Sequence, residues 1–214
     1  MDPSAPSSTR RSLHAVAELL LAGPQFRASE TIRLQVRPGG FGTVAAPAVR
    51  VDGTELVTAG GRFALAGSSC ADLAAAAGLD LGAPAGLYGE GCDVGPEEVL
   101  HLDPATTAAI LDGFAAGDAA LRRFAPDRQP VLWPEHFDLG ITVDEVNYGV
   151  SPGDAQLPEP YAYVGPWARR EGAFWNVPFG AARPLADLTH ADALAGFFAT
   201  GRARAQADPP AADD

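Results

Sequence analysis

VLWPEHFDLGITVDEVNYGVSPGDAQLPEPYAYVGPW, residues 131–167, is the stretch on which the fold turns. Within it, His136-Phe-Asp-Leu-Gly-Ile-Thr-Val-Asp144 alternates apolar and polar residues. Phe137, Leu139, Ile141 and Val143 fall on one side with Trp133 in the same register, and His136, Asp138, Gly140, Thr142 and Asp144 fall on the other. Successive side chains of a strand point to opposite faces, so the pattern predicts a half-buried antiparallel strand. Tyr161-Ala-Tyr-Val-Gly165 behaves alike, with Tyr161 and Tyr163 opposite Ala162 and Val164. If the two strands pair with their apolar residues on a common core face, both tyrosines join His136, Asp138 and Thr142. Residues 145–159, with Asn147, Tyr148, Asp154 and two prolines, read as a loop able to fold over that face.

Working outward, SLHAVAELLLAG places Leu13, Val16, Leu19 and Leu20 at helical spacing between a Ser12 cap and a Gly23 stop. TIRLQV and AVRVDGTELV alternate as strands, the latter around an Asp52-Gly53 hairpin signal. Ser69-Cys-Ala-Asp72 has the form of a capping box before an alanine-rich helix that stops near Gly78. Asp103-Pro104 supplies a cap and a first-turn proline for a helix through about Phe124. Thr189-His-Ala-Asp192 opens a last helix ending near Arg204.

The expected fold class is α+β, antiparallel sheets with about four helices, as one domain or as two small lobes. In the two-lobe reading, residues 12–95 form a helix-plus-strand N-terminal lobe and residues 96–206 a C-terminal lobe with the aromatic, acidic block. Residues 1–11 and the acidic tail 207–214 are polar and proline-containing and are expected to be disordered.

Composition excludes several functions. A formal charge of −12 disfavours nucleic acid and anionic membrane as partners, because a phosphate backbone is bound by cationic groups. All 15 basic residues are arginine, which leaves no Schiff-base lysine, no pyridoxal phosphate anchor and no phosphate-loop lysine. Cys70 and Cys92 are too far apart for a CxxC pair and too few for a cysteine-rich zinc site, and they read as free thiols of a cytoplasmic protein. No signal core and no membrane-length apolar run is present, so a soluble protein is expected. Gly40-Phe-Gly42-Thr-Val-Ala45 has dinucleotide-turn spacing, yet strand and turn residues follow where a phosphate-binding helix is needed.

The polar-aromatic face is the candidate site for a polar small molecule such as a sugar, in a binding or hydrolase-like domain. His136 and Asp138 are its candidate acid–base pair. Thr142, Tyr161 and Tyr163 are candidate ligand-binding residues, with Asp154, Trp167 and Trp175 behind them. The same pattern fits a purely structural face, since tyrosines pack their rings in a core with hydroxyls at its edge. One alternative is a non-catalytic protein-interaction module. Another is a non-haem Fe(II) oxygenase, with His136, Asp138 and His190 as metal ligands and Arg202 on an oxoacid carboxylate. No cofactor is otherwise expected, and nothing in the sequence fixes an oligomeric state.

LWPEHFDLGI, followed by NYGVSPGD, PEPYAYVGPW and FWNVPFG, resembles a family of uncharacterised bacterial proteins of GC-rich genomes. More distantly it is similar to a domain-of-unknown-function family built on a Trp-Pro-x-His-Phe-Asp block followed by Ser-Pro-Gly-Asp and Glu-Pro-Tyr. The resemblance covers residues 130–185 and implies a shared domain without implying a chemistry.

Overall fold

The structure, a computed structural model, describes residues 5–89, 91–188 and 191–211. It is α+β, with ten antiparallel strands and four helical bodies among those residues. The chain divides into two units. The first comprises Met1–Ala115 and Val131–Phe137, and the second Ala116–Pro130 and Asp138–Asp214.

The first unit is organised by a continuous helical body, α1 (Ala5–Ala15), a π-helical segment (Val16–Ala22) and α2 (Gly23–Ser29). All seven residues of the π segment are buried, as expected of a helix that is apolar almost all round. Residues 5–11, expected to be disordered, are its first turns. Gly23, expected to stop this helix, does not: the helix ends at Glu30, whose φ is 54°. A Cβ on Gly23 would overlap the Gly82 carbonyl oxygen, so this glycine serves close approach of another segment. Glu18, 3% exposed, turns its carboxyl to the 82–96 segment and accepts from the Cys92 N–H at 2.5 Å. That anchoring, together with Gly82 N–H donating to Leu19 O at 3.1 Å, makes the glycine-rich segment part of the first unit and not a lobe boundary.

Strands β1 (Leu34–Arg37), β2 (Gly40–Thr43), β3 (Arg50–Asp52), β4 (Glu55–Thr58), β5 (Gly61–Ala64) and β6 (Val131–Trp133) run in the order β6-β1-β2-β3-β4-β5. Leu34, Phe41, Val51, Leu56 and Leu132 form its fully buried row. Gly40 and Gly42 lie within β2, and a Cβ on Gly40 would strike the Val51 carbonyl, so the glycine pattern serves sheet packing. The β3–β4 hairpin forms around Asp52 and Gly53, with Gly53 at φ 59°. Helix α3 (Cys70–Ala77) starts in the expected reciprocal Ser69–Asp72 box and ends at Gly78 with φ 65°. Helix α4 (Pro104–Phe124) starts where Asp103 Oδ1 accepts from Thr106 N–H at 2.8 Å. Cys70 and Cys92 are free, and burial pushes each thiol up to about 12. Neither is an activated nucleophile.

His14 is half-buried in the first unit, its Nε2 2.7 Å from the Pro134 carbonyl and its ring stacked on Phe137 at 5.6 Å. Burial lowers its pKa from the ordinary 6.5, against the opposing pull of the Pro134 carbonyl and Glu18. The folded state therefore binds fewer protons than the unfolded chain in this range. The stabilisation is complete above about pH 6.5 and is lost as pH falls through the lower folded value. Urea midpoints compared between pH 7.5 and pH 5 are expected to fall. His14→Gln, which keeps an N–H for Pro134 and does not titrate, is expected to flatten that fall.

In the second unit β7 (Asp138–Val143), β8 (Val146–Ser151), β9 (Tyr161–Pro166) and β10 (Ala181–Pro184) run in the order β10-β9-β8-β7. Leu139, Ile141, Val143, Val146, Tyr148, Val150, Ala162 and Val164 are buried on one face. The end of α4 and α5 (Ala191–Ala207) cover that face. Glycines set the approach, because Cβ atoms on Gly117 and Gly201 would collide with Val150 and Val164 respectively. Phe124, Tyr148 and Phe198 interlock above the sheet, with ring centroids 4.7 to 6.2 Å apart. Residues 208–211, expected to be disordered, are held, since Ala211 N–H donates to Arg169 O at 2.8 Å; residues 212–214 lie outside the described residues.

Candidate functional site on the outer face of β7–β9

The face turned away from α5 is built in rows fixed by register. Gly140 faces Gly149 and Gly149 faces Tyr163, while Thr142 faces Asn147 and Asn147 faces Gly165. Tyr161 and Tyr163 thus share a face with Asp138 and Thr142, although the two strands do not pair with each other as expected: β8 lies between them. Residues 146–151, expected as a loop, are strand β8. Gly149, within the stretch expected as a loop, lies beneath the Tyr163 ring: a Cβ there would lie 2.5 Å from Tyr163 Cζ. The Tyr163 hydroxyl donates to Asp138, and burial first, then the Asp138 charge, raises its pKa well above the ordinary 10.

His136 is not part of this row. Residues 134–137 form a turn, and Phe137 has φ 50°, so the strand alternation starts at Asp138. A left-handed residue between His136 and Asp138 ends the two-residue register on which the acid–base pair depended. His136 Nε2 lies 3.0 Å from Glu135, and the His136 side chain is 66% exposed. Trp133 is likewise out of the expected register: Leu132 is buried beside Leu34, and Arg33 lies over the Trp133 ring at 5.8 Å.

Asp154 holds its own loop together. Its carboxyl accepts from the Tyr161 hydroxyl at 2.6 Å and from the Gln156 and Leu157 N–H groups at 2.7 Å. Trp175 lies elsewhere, donating to Asp208 at 3.0 Å and packing edge-on against Phe174. His190 falls outside the described residues. Among the described residues no group of three or more His, Cys, Asp or Glu is placed to hold a metal.

One end of the face has a different character. Trp167, directly after β9, is 65% exposed, and its indole N–H points to Asn147 Oδ1 at 3.4 Å. The same oxygen accepts from the Thr142 hydroxyl at 2.7 Å. An indole N–H can only donate, so the group of the Asn147 amide turned to Trp167 and Thr142 is its oxygen. Its NH2 group makes no hydrogen bond among the described residues. Phe179, 38% exposed, packs its ring against Tyr161 at the other end of β9, with centroids 6.2 Å apart. Asn147 was read as part of a loop in the sequence, and its role follows from β8. The signal that would have found it is the alternation Val146, Tyr148, Val150 directly after a two-residue turn.

Searches of protein-family models, of curated proteins and of solved structures find no match for this chain. Among the described residues no helix is long and apolar enough to cross a membrane.

Proposed function

We propose that the second unit is a recognition domain for a polar ring compound of the carbohydrate type, bound on the outer face of β7–β9. The observation that carries this reading is the Thr142–Asn147–Trp167 row. It fixes a solvent-exposed indole beside an exposed amide whose NH2 group makes no hydrogen bond among the described residues. A sugar ring offers an apolar C–H face to an aromatic surface and hydroxyls at its rim, and a few oriented polar groups then supply selectivity. Little ordering is required on binding, because the indole and the amide already hold each other. The reading is recognition and not hydrolysis, since Asp138 and Asp154 accept from tyrosine hydroxyls and His136 lies outside the strand register.

Calorimetric titration of the full chain with neutral mono- and oligosaccharides tests this. A saturable response is expected. Trp167→Ala is expected to weaken it at least about tenfold, the loss typical of an aromatic anchor. Asn147→Asp keeps the oxygen that accepts from Thr142 and Trp167 and removes the NH2 donors. It is expected to fold as the parent does and to lose the response. Titrations without response across the panel, or equal affinity in both variants, would reject the proposal.

A further inference from the structure

The opposite face of the same sheet carries a second feature, at the β7–β8 turn. Asp144 and Glu145 occupy that turn with φ of 52° and 59°. This left-handed geometry suits Asn-Gly, and residues with longer side chains adopt it only where the surroundings impose it. Here Asp144 accepts from Arg202 Nη2 at 2.6 Å, and the Glu145 carbonyl accepts from the Trp167 N–H at 2.9 Å. Beneath the turn is a recess of about 60 Å³ lined by residues that include Tyr148, Arg170, Arg202 and Gln206.

Tyr148 is 0% exposed, and its hydroxyl has no hydrogen-bond partner among the described residues. Its ring is held by Phe124 and Phe198, so the hydroxyl cannot swing out to water. Tyr148 lines the recess together with Asp144 and Arg202, the charges that act on its hydroxyl. Burial pushes the phenol up to about 12, so it is an O–H donor at neutral pH. Arg170 donates Nε–H to Ala205 O at 3.0 Å and Nη1–H to Ala168 O at 3.3 Å, and it has no carboxylate partner among the described residues. Asp144 balances Arg202, Glu145 is exposed to screening solvent, and the Arg170 charge is left over.

A buried hydroxyl without a partner is costly and calls for an acceptor. An acceptor that also meets a guanidinium is an oxyanion. We infer that this recess binds a small oxyanion, a carboxylate or phosphate group, between the Tyr148 hydroxyl and the Arg170 guanidinium. The site is independent of the proposed sugar face, and neither depends on the other being correct.

Thermal unfolding and calorimetry of the full chain at pH 7 with sodium acetate or sodium phosphate, at ionic strength matched with sodium chloride, test the inference. At least one anion is expected to raise the unfolding midpoint saturably, and which of them does so identifies the group. Tyr148→Phe removes one oxygen atom and is expected to leave the anion-free midpoint unchanged or higher, since the unpartnered hydroxyl is gone, while binding about tenfold more weakly, and Arg170→Met is expected to weaken binding likewise. No saturable response to either anion, or one unchanged in Tyr148→Phe, would assign the recess to ordered water and overturn the inference.

Discussion

Gly149→Ala is expected to cost about 3 kcal/mol in chemical denaturation followed by a probe in the second unit, the upper part of the range for overpacking. The added Cβ meets two things that cannot both yield. One is the Leu139 carbonyl oxygen of the neighbouring strand and the other is the Tyr163 ring, 2.5 Å away at Cζ. Moving the ring breaks the Tyr163–Asp138 hydrogen bond, and moving the backbone breaks the β7–β8 ladder. Gly165→Ala is the control, because its Cβ would meet no described atom closer than the Phe179 carbonyl oxygen at 3.4 Å. It is expected to cost less than about 1 kcal/mol. Equal losses at the two positions would mean that Gly149 answers to strand propensity and not to the ring above it.

Glu18→Ala is expected to destabilise the first unit by about 3 kcal/mol, through an unsatisfied half-buried N–H at Cys92 and the cavity left by the side chain. Glu18 lies inside the buried π segment, and its carboxyl is pressed so closely on Gly91 that a Cβ there would overlap it. Tyr88 also sits beside it, with a hydroxyl kept protonated chiefly by burial and next by Glu18. Glu18→Gln keeps an acceptor for Cys92 and is expected to cost about 1 kcal/mol. Guanidine unfolding gives the global values, and hydrogen exchange at the Cys92 amide gives the local one. Protection at Cys92 that survives Glu18→Ala would show that this hydrogen bond does not hold the segment.

Local chemistry was legible in the sequence wherever one short segment carries its own instructions. Ser69 with Asp72, Asp103 with Pro104, and Asp52 with Gly53 specify caps and a turn within a few residues, and each forms as read. The pairing of β7, β8 and β9 also places both tyrosines with Asp138 and Thr142. Residues whose role depends on a distant partner were misread. Gly23 looks like a helix stop because Gly82 is invisible from its neighbours, and Gly149 looks like a loop residue because the Tyr163 ring arrives from another strand. His136 fails for a local reason: alternation over nine residues conceals one left-handed residue, Phe137, whose side chain is buried as a strand residue's would be. Of the site, the aromatic and acidic residues were legible individually. Their pairing, which braces the proposed platform, was not.

The most direct test of that platform is the set of indole N–H and Asn side-chain amide resonances in a ¹H–¹⁵N spectrum during titration with a panel of neutral oligosaccharides. The three tryptophans, Trp133, Trp167 and Trp175, report separately. The account predicts saturable shifts at the Trp167 indole and at the Asn147 NH2 group, with Trp133 and Trp175 unmoved. Shifts at Trp133 or Trp175 without Trp167, or no saturable shift for any sugar in the panel, would contradict it.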